Sequence, residues 1–87
     1  MTYSVRTSGS ADRDIRKLAG RIRRQVFAKI LALKDNPRPQ DMKLLHSPGK
    51  LYRVDSGEYR ILYSIDDASK VVLLFRVSHR REVYRNL

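Results

Sequence analysis

A chain of 87 residues holds one domain, because a second hydrophobic core could not be enclosed in what remained. It has no cysteine, which excludes disulfides and thiolate metal sites, and no apolar run reaches the length of a membrane span. Nineteen Lys and Arg against nine Asp and Glu give a formal charge of +10, so an anionic partner, nucleic acid or an acidic protein, is expected to offset the self-repulsion.

Residues 3–6 alternate like a short strand, and the N-terminus lacks the basic-then-apolar succession of a secretory signal. Residues 7–10 (TSGS) read as a turn with Ser10 as helix N-cap, and Asp12 and Asp14 then fall in the first helical turn, where the dipole favours acids. Apolar residues recur at helical spacing through Ile15, Leu18, Ile22, Val26, Ile30 and Leu33, interrupted at Gly20. That pattern predicts a hairpin of two helices, 11–19 and 21–35. Asn36-Pro37-Arg38-Pro39 stops the second, because proline cannot continue the ladder. Residues 40–49 read as a loop, where His46 has no second histidine or cysteine at metal-ligand spacing.

Three strands are predicted next, 51–55, 58–65 and 70–77, joined at Ser56-Gly57 and at 67–69. The order β-α-α-β-β-β describes an α+β domain, an antiparallel sheet with an N-terminal helical hairpin packed on one face. A two-residue turn at Ser56-Gly57 sets Arg53 opposite Arg60, with Tyr52, Val54, Ile61 and Tyr63 on the apolar face. A three-residue turn at 67–69 sets Arg60 opposite Arg76 and adds Val71, Leu73, Phe75 and Val77 to the apolar face. Arginines on neighbouring strands repel and call for an anion between them, and Asp55 and Glu58 stand near enough to neutralise part of the charge. The last strand continues into VSHRREVYRNL (77–87), bringing His79, Arg80, Arg81 and Tyr84, with Arg80 on the arginine side if the chain stays extended.

The sequence has no acidic cluster for a pair of metal ions, no phosphate-binding glycine loop and no GxSxG elbow. What remains is arginine, histidine and tyrosine. RNA carries its own nucleophile, the 2′-hydroxyl, so its cleavage to a 2′,3′-cyclic phosphate needs no metal. Arginines can stabilise charge on the phosphorane, and His79 or Tyr84 can move a proton, provided neighbouring arginines pull the tyrosine below its usual value of ~10. A non-catalytic RNA-binding protein could display the same residues.

KLYRVDSGEYRILYSIDD (50–67) and VVLLFRVSHRREVYRNL (71–87), with the helical SADRDIRKLAGRIRRQVFAKILAL and the following NPRP, resemble the RelE/ParE superfamily of bacterial and archaeal toxins. The resemblance is most specific in GEYRILY and HRREVYR. It implies a cytoplasmic β-α-α-β-β-β toxin neutralised in a hetero-oligomeric complex by a RelB-like antitoxin encoded beside it. In the RelE branch it implies an mRNA interferase, an endoribonuclease that cuts messenger RNA in the ribosomal A site without metal or cofactor. Carried over by motif, Arg53 matches the first basic residue of its strand, Arg60 the sheet arginine and Arg80 the arginine after the last strand. Tyr84 matches the tyrosine that assists 2′-hydroxyl attack or stacks on the base. These four are the expected catalytic residues, with Arg76, His79 and Arg81 expected to bind substrate. Asp55 stands where relatives usually carry a second basic residue, so His79 is expected to stand in if that residue is their general base. The alternative is a ParE-type gyrase inhibitor, which shares the fold but lacks this constellation.

Overall fold

In the computed structural model, which describes residues 2–46 and 49–82, strand β1 (Ser4–Thr7) leads into helices α1 (Gly9–Arg16) and α2 (Gly20–Asp35). Strands β2 (Lys43–His46), β3 (Leu51–Ser56), β4 (Tyr59–Asp66) and β5 (Val71–His79) follow. The expected order holds with one strand added, since β2 lies in the stretch read as a loop. It is a four-residue edge strand, interrupted by an irregularity between Leu44 and His46, too short to display a two-residue period. The sheet runs β1-β5-β4-β3-β2, with β1 parallel to β5 and the other pairs antiparallel. Among the described residues no helix is long and apolar enough to cross a membrane.

Ser8, not Ser10, caps α1. Its Oγ accepts the Ala11 N–H at 3.0 Å and donates to the Phe75 carbonyl at 2.9 Å, while its own N–H donates to Leu74 O at 2.9 Å. One residue therefore ends β1, starts α1 and ties both to β5. At the break before Gly20, Arg23 of α2 donates to the carbonyls of Arg16 and Leu18 at 3.2 and 3.0 Å, closing the exposed C-terminal end of α1. Val26, Ile30 and Leu33 form one buried stripe of α2. With Ala11 and Leu18 they pack on Val54, Ile61, Tyr63, Val72, Leu74 and Val77 of the sheet. Each large aliphatic side chain buried there contributes about 1.5–3 kcal/mol. Pro37 stops the helix, and its carbonyl accepts the buried Tyr63 hydroxyl at 2.8 Å.

Both hairpin registers differ from those expected. Gly57 and Glu58, not Ser56 and Gly57, are the central turn residues, so Asp55 faces Arg60 and Arg53 faces Leu62. Gly57 takes φ +61°, the demand a II′-type hairpin makes of its first central residue. This shift by two preserves every side chain's face and sets a carboxylate, rather than a second guanidinium, across from Arg60. In the next hairpin Asp66 pairs with Val71 through to Tyr63 with Leu74. Phe75 then bulges, after which Leu62 pairs with Arg76, Arg60 with Ser78 and Tyr59 with His79. Arg60 therefore does not face Arg76. The fully buried Val72 and Leu74 point to the helices with Val77, while Val71 and Leu73 lie half-buried on the other face. The turn also runs one residue longer than expected, and Lys70 takes the left-handed position with φ +57°.

A polar staple joins the ends of the chain's early segments to this turn. Arg38 donates to both oxygens of Asp67, at 3.1 and 2.7 Å, and the Tyr3 hydroxyl donates to the same carboxylate at 2.6 Å. Those donors hold the Asp67 carboxyl well below the usual carboxylate range.

Candidate functional site

The face of the sheet turned away from the helices carries Arg53 and Asp55 of β3, Arg60 and Leu62 of β4, and Ser78 of β5. Asp55 Oδ1 lies 3.3 Å from Arg60 Nε and 3.6 Å from Arg53 Nη1, so one carboxylate oxygen serves two guanidinium groups. Arg53 is only 8% exposed, and its Nε and Nη1 are buried without a hydrogen-bond partner. Burying a guanidinium with unmade bonds opposes folding, and such groups are otherwise rare enough to mark a site. Two cationic donors held on neighbouring strands around one anion position are the kind of arrangement that binds a phosphate, although here the Asp55 carboxylate already stands between them.

Arg80 follows the end of β5. Its N–H donates to Glu58 O at 2.8 Å, one residue past the last β4–β5 pair, and its side chain is exposed. The chain then turns, with Glu82 N–H donating to His79 O at 2.8 Å.

His79 pairs with Tyr59 and so lies on the opposite, helix-bearing face, its ring edge-on to that tyrosine at 5.4 Å. Its Nδ1 accepts the Arg81 N–H at 3.2 Å, and Nε2 stands 3.3 Å from a Glu58 oxygen. A neutral ring with these partners carries its proton on Nε2 and donates it to Glu58. His79 borders a polar cavity of about 320 Å³ with Asp14, Lys17, Tyr59, Arg76 and Glu82. It is therefore not brought beside Arg53 and Arg60. Arg81 itself has an exposed side chain.

Arg76 is committed elsewhere. Its Nε and Nη2 donate to Asp14 of α1 at 2.8 and 3.2 Å, and these bonds raise its pKa above the ordinary guanidinium value. Tyr84 lies outside the described residues. Among those described, no group of three or more His, Asp or Glu side chains could hold a metal ion.

Sequence reasoning expected Asp55 and Glu58 to neutralise the sheet arginines, which Asp55 does, but it missed the contact of Glu58 with His79 and that of Asp14 with Arg76. Asp14 read only as a first-turn acid, and nothing local announces a contact 62 residues away. The Asp55–Arg60 pair was findable, because Gly57 in the first central turn position fixes it.

The family model for the ParE toxin of type II toxin-antitoxin systems (parDE) matches residues 5–84. Toxin RelG of Mycobacterium tuberculosis is 35% identical over 86 residues, 98% of this chain and 99% of that protein. Among solved structures, the archaeal RelE–RelB complex from Pyrococcus horikoshii aligns with a TM-score of 0.81 at 27% identity, covering 92% of this chain and 97% of that one. The toxin–antitoxin complex RelBE2 from M. tuberculosis aligns at 0.76 and 33% identity, covering 92% and 100%. These matches bear out the resemblance read in GEYRILY and HRREVYR. The chain belongs to the ParE toxin family of type II toxin-antitoxin systems, within the RelE/ParE superfamily.

Proposed function

We propose that this toxin is a metal-independent endoribonuclease that cleaves messenger RNA in the ribosomal A site and so stops translation in the cytoplasm. The observation that carries the reading is the convergence of Arg53 and Arg60 on one anion position on the helix-free face. In the proposed step the 2′-oxygen attacks phosphorus, its proton passes to a base, and the bond from phosphorus to the 5′-oxygen breaks as an acid protonates the leaving oxygen. The products are a 2′,3′-cyclic phosphate and a 5′-hydroxyl. Arg53 and Arg60 stabilise charge on the phosphorane, Arg80 contacts the flanking backbone, and Tyr84 is the proton-transfer or stacking residue that the superfamily resemblance assigns. Arg81 and His79 are left as contacts to RNA beyond the reacting phosphate.

A RelB-like antitoxin is the proposed partner, as in the RelE–RelB complexes among the similar structures. Its acids would engage the basic surface, so the complex should weaken as salt rises.

Primer extension on a translated message tests the nuclease. Cuts at codon positions should appear only with ribosomes and fall about 10²–10³-fold in Arg60→Ala, the usual loss on removing one preorganised donor. A second reading, inhibition of gyrase, is favoured by the family model itself, which is that of ParE. Gyrase-dependent DNA breaks without message cleavage would establish it instead.

A further inference from the structure

Three arginine–carboxylate contacts in this molecule can be compared directly. Arg38 grips Asp67 with two nitrogens at 3.1 and 2.7 Å, and Arg76 grips Asp14 with two at 2.8 and 3.2 Å. Asp55 differs: a single oxygen is shared between Arg60 Nε at 3.3 Å and Arg53 Nη1 at 3.6 Å, both beyond the ~2.7–2.9 Å of a strong charge-assisted bond. Its side chain is 50% exposed, whereas the Arg53 guanidinium beneath it has two buried nitrogens with unmade bonds. The first two pairs are built to stay closed. The third is longer than either and leaves donor capacity of the buried Arg53 unused.

We infer that Asp55 is a built-in counter-anion, holding the position between Arg53 and Arg60 in the empty protein and giving it up to a tetrahedral oxyanion. A carboxylate presents two coplanar oxygens, and this one offers a single oxygen to both guanidinium groups. A phosphate or sulfate has enough oxygens to meet both guanidinium groups at once and to give Arg53 Nε and Nη1 the hydrogen bonds that Asp55 stands too far away to make. Asp55 also keeps the two cations from repelling while the position is empty, since they are diagonal neighbours on adjacent strands. The ligand class is a phosphodiester, so the assignment of that ligand rests on the proposed nuclease function, whereas the exchange itself does not.

Sulfate is the probe, and the side-chain Nε–H resonances of Arg53 and Arg60 are the readout, with the Asp55 carboxyl carbon followed in parallel. In the wild-type protein all three signals should move together along one sulfate titration. In Asp55→Asn, which keeps the shape and removes the charge, sulfate should bind about fivefold tighter or more, as expected on losing a competing charge a few ångströms away. Ribosome-dependent cleavage by that variant should show a lower KM. Unmoved arginine signals overturn the inference, as does an Asp55 carboxyl that stays fixed while the arginines respond. If Asp55→Asn does not fold, those two wild-type outcomes decide the matter alone. A variant with unchanged sulfate affinity and a collapsed kcat makes Asp55 a proton acceptor and also overturns it. Sulfate exchange as described, in a protein that cuts no message with or without the substitution, upholds the counter-anion and removes only the nuclease reading.

Discussion

Arg76 and Asp14 give the sharpest test of how the sheet edge is held. Asp14 accepts three bonds, from Arg76 Nε at 2.8 Å, Arg76 Nη2 at 3.2 Å and the Val77 backbone N–H at 2.9 Å. The Asp14 side chain is 12% exposed and that of Arg76 32%, so this pair lies between a surface bridge and a buried one. Exposed pairs contribute about 0–1 kcal/mol, while stranding one member of a fully buried pair costs about 3–5 kcal/mol. Arg76→Ala should therefore cost about 1–2 kcal/mol, because Asp14 keeps the Val77 N–H and gains water on its open side. Asp14→Ala should cost about 2–3 kcal/mol, because it also leaves a backbone donor on the strand edge without its acceptor. Urea unfolding measures both. With a slope of roughly 1 kcal/mol per molar for a domain this small, the two midpoints should drop by roughly 1–2 M and 2–3 M. Equal losses for the two variants would refute the role given to Val77. An Arg76→Ala protein as stable as wild type would refute the pair, and would return that guanidinium to the candidates for RNA contact.

Asp67→Asn should destabilise the protein at neutral pH, because Arg38 and Tyr3 depress the folded-state carboxyl below its usual 3.8. A depressed acid stabilises fully above its unfolded value and loses that contribution as pH falls toward the folded one. The gap between the melting temperatures of wild type and variant should thus narrow once the pH passes below 3.8, and a gap that stays constant in acid contradicts the staple. Gly57→Ala tests the turn of the first hairpin. A Cβ there would meet only Gln25 Oε1 at 3.7 Å, an ordinary contact, so the cost comes from φ +61° alone. About 1 kcal/mol should be lost in urea unfolding, and a neutral or stabilising result would contradict the left-handed backbone at Gly57.

The helical hairpin was legible because its apolar residues keep one period over two dozen positions, and Gly20 and Pro37 punctuate it. The faces of β3 and β4 were legible for a different reason. A register error of two residues leaves facing unchanged, so Arg53 and Arg60 were placed on the correct side although their partners were not. Nothing comparable protected β5. Val71 to Phe75 is apolar throughout, so no alternation distinguishes the inward residues from the outward ones. A bulge in such a run is silent. β2 escaped notice because four residues at a sheet edge carry too little pattern. The commitment of Arg76 to Asp14, and of His79 to the helix-bearing face, depends on that silent bulge and on a helix far away in sequence.

The bulge decides more than its own strand. Without it the pairing of Tyr63 with Leu74 would continue as Ile61 with Arg76 and Arg60 with Val77, sending a guanidinium into the core and a valine onto the arginine face. The extra residue, Phe75, reverses both, but a bulge frees backbone groups that need partners. It falls where β1 ends, because Thr7 pairs with Leu74 and among the described residues no strand lies beyond. Helix α1 supplies what the missing strand would have: the Ser8 hydroxyl takes the Phe75 carbonyl and the Asp14 carboxylate takes the Val77 N–H. The same Ser8 caps the helix that carries Asp14. A short β1 turning at once into a capped helix is thus what lets β5 change phase, and that change of phase lines Ser78 up with Arg60. The face proposed to hold RNA is therefore set in part by side chains on the other side of the sheet.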